Sequence, residues 1–594
     1  MVPVSAERCV SDRELFEPRA GPVGAVVGYG LAMAGAASLV VHDTATTVQR
    51  LATTPSVRQA LAFGGGMWCF TPAGMGVVYA GEDGNLWHQR ISGGQSKRLT
   101  RHGPDRQASG PSCAPDGRSV VYVVDQAEVW RTDFHGGRPV RLDRGSADFC
   151  IDPCVAANGD VAWLAWNVPD MPWDAARVEV LGADGTRATI RARHAIQQPR
   201  PHLDGGALWL RDDDGWRNLW LDDHPLVAEP IEHGPPLWGG GMRTYAAEPR
   251  GRRVAFTRNE RGFGRLCVVD AATGEVRVVA RGVHRQLSWV DGRLVALRTG
   301  AVTPTEVVAY DTTTWQRTVL ATGPTTEWAE GELVEPDAVE VPVDGGVVHA
   351  RVYRADPAAA GDGRLMVWLH GGPTDQLQVT YQPRIAFWRS RGWTVLVPDH
   401  RGSAGHGREY QEALRGRWGE LDVEDTAAAI RHAHREGWGT AAHTVLMGGS
   451  GGAFTALGVL GRHPDLLGAV IATSPVTDLE GMSENSHRFE RHYGHSLVGP
   501  LPAAQARYRE RSPIWHADRY TSRPVLVLHG ELDRVVPVEQ GKVFAARLRA
   551  AGGTVEVWTY PDEGHGVRRR QHQLDEYRRM EAFLQRHLPV GSGG

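Results

Sequence analysis

Lysine is nearly missing from this chain: Lys97 and Lys542 are the only two in 594 residues, and arginine carries the rest of the positive charge. No G-x-x-x-x-G-K-[ST] stretch occurs, which excludes the common lysine-bearing phosphate cradle. Excess charge is missing too. A net charge of −4 leaves no basic field of the kind nucleic acid or an anionic membrane requires, so neither partner is expected. The six cysteines (Cys9, Cys69, Cys113, Cys150, Cys154 and Cys267) all lie in the first half at irregular spacing, unlike a disulfide framework. Cys150 and Cys154 in "CIDPC" have no second pair or histidine cluster beside them and read as strand thiols rather than metal ligands. No metal or cofactor is expected, and a reducing cytoplasm fits this cysteine usage. Long apolar runs are also lacking. The N-terminal "MVPVSAERCVSDRELFEPRAG" has acids and no apolar core, unlike a signal peptide. The uncharged run from Gly21 to His42 is Gly/Ala-rich and opens on Gly-Pro, so two short strands are expected there rather than a membrane span.

What is present divides into two halves, as a length beyond the reach of one core leads one to expect. From about residue 20 to 325 one phrase recurs: a turn glycine, a β-branched or aromatic run, then a second strand. "TPAGMGVVYAGEDGNLWHQRISGGQSKRLT" and "APDGRSVVYVVDQAEVWRTDFHGGRPVRLD" are two copies, with turn glycines Gly74 and Gly117. The series continues at Gly159, Gly205, Gly251 and Gly292, with a degenerate start near Gly24. Seven units at steps of about 40 to 50 residues match four-stranded blades, so residues 1–325 are expected to form a seven-bladed β-propeller. Tryptophans suit the wedge-shaped interfaces between blades. Residues 326–594 alternate apolar strands (365–370, 394–399, 444–448, 469–474, 525–530, 555–560) with helical stretches such as "DVEDTAAAIRHAHREG". That alternation predicts a doubly wound, mostly parallel sheet whose ligands sit at the carboxyl ends of the strands, and the motifs at those ends make the expected class an α/β-hydrolase.

The motifs fall at those ends. "GGSGG" (448–452) is a G-x-S-x-G turn between a strand and a helix, a context that lifts Ser450 above the sheet on a turn too tight for Cβ atoms at its flanks. A serine hydroxyl needs a base, and the hydrolase order is serine, acid, histidine. His565, in the Gly-flanked loop of "YPDEGHG", is the expected base. Asp533, just past "VLVLHGEL", is the expected acid, with Glu531, Asp562 and Glu563 as competitors; the last two are expected to face solvent. The oxyanion of a tetrahedral intermediate calls for two donors. Gly451 N–H, at the start of the helix, is one, and Gly372 N–H in "LHGGPTDQ" is the other, with Gly371 as second choice.

These stretches together with "PDHRGSAGHGREYQEALRGRWGELDVEDTAAAI" and "GELDRVVPVEQG" resemble the prolyl oligopeptidase family of serine peptidases. The acylaminoacyl-peptidase/dipeptidyl-aminopeptidase-like subgroup is the one resembled, through "NVPDMPWDAARVEVL", "DGWRNLWL", "PLWGGGMRTYA" and "HRFERHYGHSLVGP". The resemblance implies a propeller that acts as lid and size filter for a serine peptidase. Two departures stand out: Ala453 where relatives often have glycine, and His406 in "RGSAGHG" where an aromatic, usually tyrosine, is common. An aminopeptidase must pair its substrate's ammonium with a carboxylate. Glu490 in "RFERHY" is one candidate for that role and an unplaced acid of the propeller another. Val536 is a candidate apolar wall for the first side-chain pocket, and Arg568, Arg569 and Arg570 read as a solvated helix start.

The function expected is a Ser-His-Asp hydrolase acting through an acyl-enzyme on short peptides or aminoacyl and acylaminoacyl amides, most simply an exopeptidase. A small-molecule amidase or esterase that removes an aminoacyl group from a natural product would use the same chemistry. A catalytically dead propeller binding protein is the alternative of another class, and the intact motif set argues against it. Side-chain preference, a free or blocked substrate N-terminus and homo-oligomer formation stay open at this level.

Overall fold

The computed structural model describes every residue except 1, 24–25, 34, 44–47, 52, 60–64, 104, 135–136, 202–205, 250, 360–362 and 589–594. Gly24 and Gly205 of the expected repeat lie outside the described residues. The chain divides into two compact units, 13–325 and a second built from 1–12 together with 326–594.

The first unit is a ring of seven four-stranded antiparallel sheets, spanning 13–50, 68–98, 108–141, 149–190, 196–225, 245–281 and 283–322. Alternating apolar residues bury one sheet face against the next blade. Leu39 and Val41 of the first blade pack with Trp68 and Tyr79 of the second, and Val27 and Tyr29 pack with Val295 and Val307 of the seventh, which closes the ring. The uncharged run near residue 30 forms strands Val26–Met33 and Ala36–Asp43 of the first blade.

Each blade also carries one left-handed residue at or just ahead of its first strand: Glu17, Gly66, Gly110, Asp152, Gln198, Gly241 and Gln286, with φ between 44° and 77°. The pairing register slips around this point in the first, third, fourth, fifth and seventh blades, so it is a β-bulge repeated around the ring. In "CIDPC" Asp152 is that bulge residue, which explains the motif without a metal: Cys150 and Cys154 flank a bulge within the strand Phe149–Val155.

The second unit is an eight-stranded sheet. In chain order its strands are β1 (Asp337–Val343), β2 (Gly346–Tyr353), β3 (Arg364–Leu369), β4 (Trp393–Asp399), β5 (Thr444–Gly449), β6 (Ala469–Thr473), β7 (Val525–Gly530) and β8 (Val555–Tyr560). Their spatial order is β1-β2-β4-β3-β5-β6-β7-β8; β1 and β2 pair antiparallel, β2 pairs antiparallel with β4, and the rest are parallel. The parallel strands are near-continuous apolar runs because helices cover them. Among these are α1 (Leu421–Arg435), α2 (Gly451–Arg462) and α3 (Glu539–Ala550), whose Val423, Leu457 and Phe544 join Val367, Leu446 and Val527 in one core. A fourth helix, α4 (Arg570–His587), ends the described chain.

Residues 1–12, expected with the propeller, belong instead to the hydrolase unit. Polar contacts hold them there. Arg8 donates through both Nη1 and Nη2 to the Glu332 carboxylate at 2.7 Å, Arg391 Nη1 donates to Val4 O at 2.7 Å, and Arg570 Nη1 donates to Val10 O at 3.0 Å. Among the described residues no helix is long and apolar enough to cross a membrane.

Candidate active site

Ser450 stands between β5 and α2 with φ 54° and ψ −123°, a conformation that costs a residue with a Cβ about 1–3 kcal/mol. Its backbone is held there by Ser450 N–H to Thr473 O at 3.0 Å, and the first turn of α2 closes on its carbonyl through Ala453 and Phe454. Two of the nearby glycines, Gly448 and Gly452, are required by space. A Cβ on Gly452 would lie 2.4 Å from His370 O and 2.7 Å from Leu369 O, and one on Gly448 would lie 2.5 Å from Gly452 C. Strand β3 and its following loop therefore pass directly against the first turn of α2. Ala453 is fully buried in that helix.

Asp533 follows β7 and His565 follows β8, and the two are paired: His565 Nδ1 donates to Asp533 Oδ2 at 2.7 Å. The other oxygen, Oδ1, accepts Val535 N–H and Val536 N–H, both at 2.9 Å. Burial alone would raise the Asp533 pKa, but hydrogen bonds from His529 and His565 outweigh it and hold the carboxyl well below its usual range. With Nδ1–H committed to Asp533, Nε2 of His565 carries the free lone pair, which is the tautomer a general base needs. Ser450 and His565 are not hydrogen-bonded to each other in this structure; such contacts often tighten only with substrate in place.

The competing acids have other work. Glu531 accepts a bond from Thr559 Oγ1 at 2.6 Å, and Asp562 pairs with Arg569 at 2.7 Å. Glu563 is buried rather than solvated. It accepts the N–H groups of Arg568 and Arg569 and a bond from His572 Nδ1 at 2.8 Å, so it organises the start of α4. Arg568 and Arg569 are exposed, as expected.

Ser450 opens into a pocket whose lining includes Gly372, Gly451, Trp418, Glu490 and Tyr493. The Gly372 and Gly451 N–H groups make no backbone hydrogen bond among the described residues, so both are free to donate to a ligand. Gly372 has φ 112°, open to glycine alone, and a Cβ on Gly451 would meet Gly372 C at 3.3 Å. Gly371 does not line the pocket. Glu490 is half-buried beside His487, 3.2 Å away. Val536, the expected pocket wall, is instead fully buried and absent from this pocket's lining. Its backbone serves the site: the N–H holds Asp533, and the carbonyl accepts His529 Nε2 at 2.9 Å.

Two buried networks support the loop after β3. His370 Nε2 contacts Ser403 Oγ at 2.7 Å, and burial, then the neighbouring His400, push the His370 pKa down to about 4, so this ring is neutral at physiological pH. Asp399, at the end of β4, receives Arg351 through two bonds of 2.6 and 2.7 Å, Gln376 Nε2 at 2.8 Å and His406 Nε2 at 2.8 Å. His406 therefore meets Asp399 with a ring N–H, and its ring stacks on His349 at 4.1 Å. Tyr493 OH donates to Thr374 Oγ1, which ties the pocket wall to the same loop. Ser403 and Tyr493 lie within stretches that carry the family resemblance, and His529 lies beside one, but no role is expected for them from the sequence; the fold shows what each one contacts.

A strained serine on a strand–helix turn, a paired aspartate and histidine on the next strand ends and two unengaged glycine amides define the site of an α/β-hydrolase. Comparison with known proteins narrows this. Residues 379–590 match the model of the prolyl oligopeptidase family, so the hydrolase unit carries a domain of that family. Acylamino-acid-releasing enzyme 2 of Oryza sativa subsp. japonica is 28% identical over 233 residues, which is 38% of this chain and 30% of that enzyme. The match thus spans under a third of that relative's length. Among solved structures, a Mycobacterium tuberculosis puromycin-hydrolyzing peptidase superposes with a TM-score of 0.92 at 27% identity, over 100% of this chain and 97% of that one. A puromycin hydrolase gives 0.90 at 26% identity, over 100% and 97%. An acylaminoacyl peptidase bound to Z-Gly-Gly-Phe-chloromethyl ketone shares the fold, with a TM-score of 0.75 at 16% identity over 98% and 97%.

Proposed function

We propose that this protein is a serine peptidase that removes a single N-terminal aminoacyl group from short peptides and from aminoacyl amides. His565 Nε2 takes the Oγ proton as Ser450 attacks the carbonyl, and the same ring returns it to the leaving amine. Asp533 holds the tautomer and stabilises the imidazolium. The oxyanion is received by Gly372 N–H and Gly451 N–H. Water then releases the aminoacyl group from Ser450 by the same steps in reverse order.

One observation carries the choice of a free amine: Glu490 is the carboxylate lining the pocket that also holds Ser450, Gly372 and Gly451. A substrate ammonium leaving water needs such a partner. The amidase reading is favoured by a separate fact, that two close structural relatives are named for hydrolysing puromycin, itself an aminoacyl amide. Both substrates present the same α-amino acyl end to the site. All six cysteines are unpaired, in keeping with a reducing cytoplasm as the place of action.

The test is Glu490→Gln assayed with aminoacyl p-nitroanilides and their N-acetyl counterparts. Loss of the ion pair should raise KM for the free-amine substrates about tenfold or more and leave the acetylated ones unchanged. An equal effect on both series would remove Glu490 from substrate recognition and leave the site open to blocked substrates.

A further inference from the structure

The repeated bulge of the propeller brings three arginines to equivalent places. Arg19, Arg200 and Arg243 each stand two residues after the left-handed residue of their blade: Glu17, Gln198 and Gly241 in the first, fifth and sixth blades. First strands of propeller blades line the central channel, and hydrogen bonds connect these three around it. Arg19 Nη1 donates to Gln286 Oε1 at 3.1 Å, and Gln286 Nε2 donates to Gly241 O at 3.1 Å. Arg200 Nη2 donates to Met242 O at 3.1 Å. The segments before the second and sixth blades meet directly, with Gly65 N–H to Gly240 O at 2.9 Å. A Cβ on Gly241 would lie 2.2 Å from Gly65 C.

Charge in this cluster does not cancel. Glu17 is spent on Arg19 at 3.3 Å and on the N–H groups of Gly66 and Met67 at 2.8 and 3.0 Å. Asp152 accepts Gly241 N–H through one oxygen. Two carboxylates thus face three guanidinium groups, which stay charged in proteins. Arg19 and Asp152 are buried, 4% and 7% exposed, while Arg200 and Arg243 are half-buried. Arg243 makes no side-chain hydrogen bond among the described residues, and its Nε is buried without a partner. Burial first, then Arg19 and Arg200, push the Arg243 pKa down, while Asp152 and Glu17 oppose them. A half-buried guanidinium fork beside two more cations is what a planar oxyanion fits, through paired charge-assisted bonds.

We propose that Arg243, flanked by Arg19 and Arg200, is an anion-binding site of the propeller that takes one carboxylate or phosphate group. Nothing in the hydrolase chemistry of Ser450 requires this site, and its occupant need not be the peptidase substrate. Asp152 is the acid whose charge most favours the Arg243 cation, so an anion must compete with it.

Titration calorimetry on the full-length Ser450→Ala protein tests this with four probes: inorganic phosphate, acetate, glycylglycine and glycylglycine amide. Saturable binding of phosphate or acetate that weakens about tenfold or more in Arg243→Gln supports the site, one charge-assisted pair being worth about that much. Glycylglycine binding that depends on Arg243, with no such binding of the amide, would identify the source as a peptide carboxylate; phosphate binding alone would identify a phosphate. Asp152→Asn should tighten binding by removing the competitor. Arg200→Gln provides a second route if Arg243→Gln does not fold. Absence of saturable binding of every probe at millimolar concentration, or equal affinity in wild type and both arginine variants, overturns the proposal.

Discussion

Asp533→Asn separates the geometry of the proposed triad from its chemistry, because the surroundings of this carboxyl decide how an amide would sit. Two backbone donors, Val535 N–H and Val536 N–H at 2.9 Å, approach Oδ1. An asparagine must keep its carbonyl oxygen there, since turning the NH2 toward two N–H groups would leave all three donors unpaired. Its NH2 then faces His565 Nδ1, which must now accept a hydrogen bond where it donated one at 2.7 Å. The imidazole is driven to the tautomer with the proton on Nε2, and Ser450 loses its base. The size and shape of the side chain are unchanged, so the fold should persist. A wrong tautomer of this kind lowers kcat by about 10⁴-fold, or about 5 kcal/mol of transition-state stabilisation. Steady-state kinetics on an aminoacyl p-nitroanilide reads the rate, and thermal denaturation checks the fold. A folded Asp533→Asn protein that keeps more than a tenth of wild-type kcat would refute the role given to Asp533, and Glu531 would need the same test.

Three further outcomes follow from the same structure. Ser450→Ala and Ser450→Gly should both abolish turnover. The glycine variant should be the more stable by about 1 kcal/mol, because it relieves the φ 54°, ψ −123° strain that alanine keeps; equal melting temperatures would mean the turn is unstrained. Gly452→Ala should cost about 1–3 kcal/mol and lower activity, as its Cβ meets two backbone carbonyls at 2.4 and 2.7 Å, whereas Gly449→Ala, with Thr473 O at 3.8 Å, should melt like wild type. The pH dependence has a definite sign. His370 titrates at about 4 in the fold against 6.5 when unperturbed, so the unfolded chain binds the extra proton between those values. Stability is full above pH 6.5 and falls by about 3 kcal/mol as the pH drops through 6.5 to 4. Denaturant melts of wild type and His370→Asn over that range should differ in slope, and parallel curves would contradict the assignment.

Much of the hydrolase unit was legible because parallel strands buried on both faces leave continuous apolar runs. The runs at 525–530 and 555–560 match β7 and β8, and the others differ from their strands by a residue or two. The antiparallel pair β1 and β2 has no counterpart among the expected strands, which begin at 365–370, because its half-exposed residues leave no continuous apolar run. Blade spacing was visible through turn glycines, whereas the channel bulge was not: its left-handed residue is Glu, Gly, Asp or Gln, so no single letter marks it. The motif residues Ser450, Asp533 and His565 stand at strand ends as expected. Val536 misled because proximity in sequence to Asp533 says nothing of direction; its side chain points into the core while its backbone faces the acid. The place of the N-terminal segment carries no pattern in the sequence, because it rests on individual polar pairs such as the two-bond contact of Arg8 with Glu332.

The account turns on Ser450 being an activated nucleophile, and a fluorophosphonate probe tests that most directly. Wild-type protein should be labelled at one residue, located by peptide mass spectrometry on Ser450, with loss of peptidase activity in step with labelling, and Ser450→Ala should take up no label. Labelling elsewhere, or full activity after stoichiometric labelling, would contradict the account at its centre.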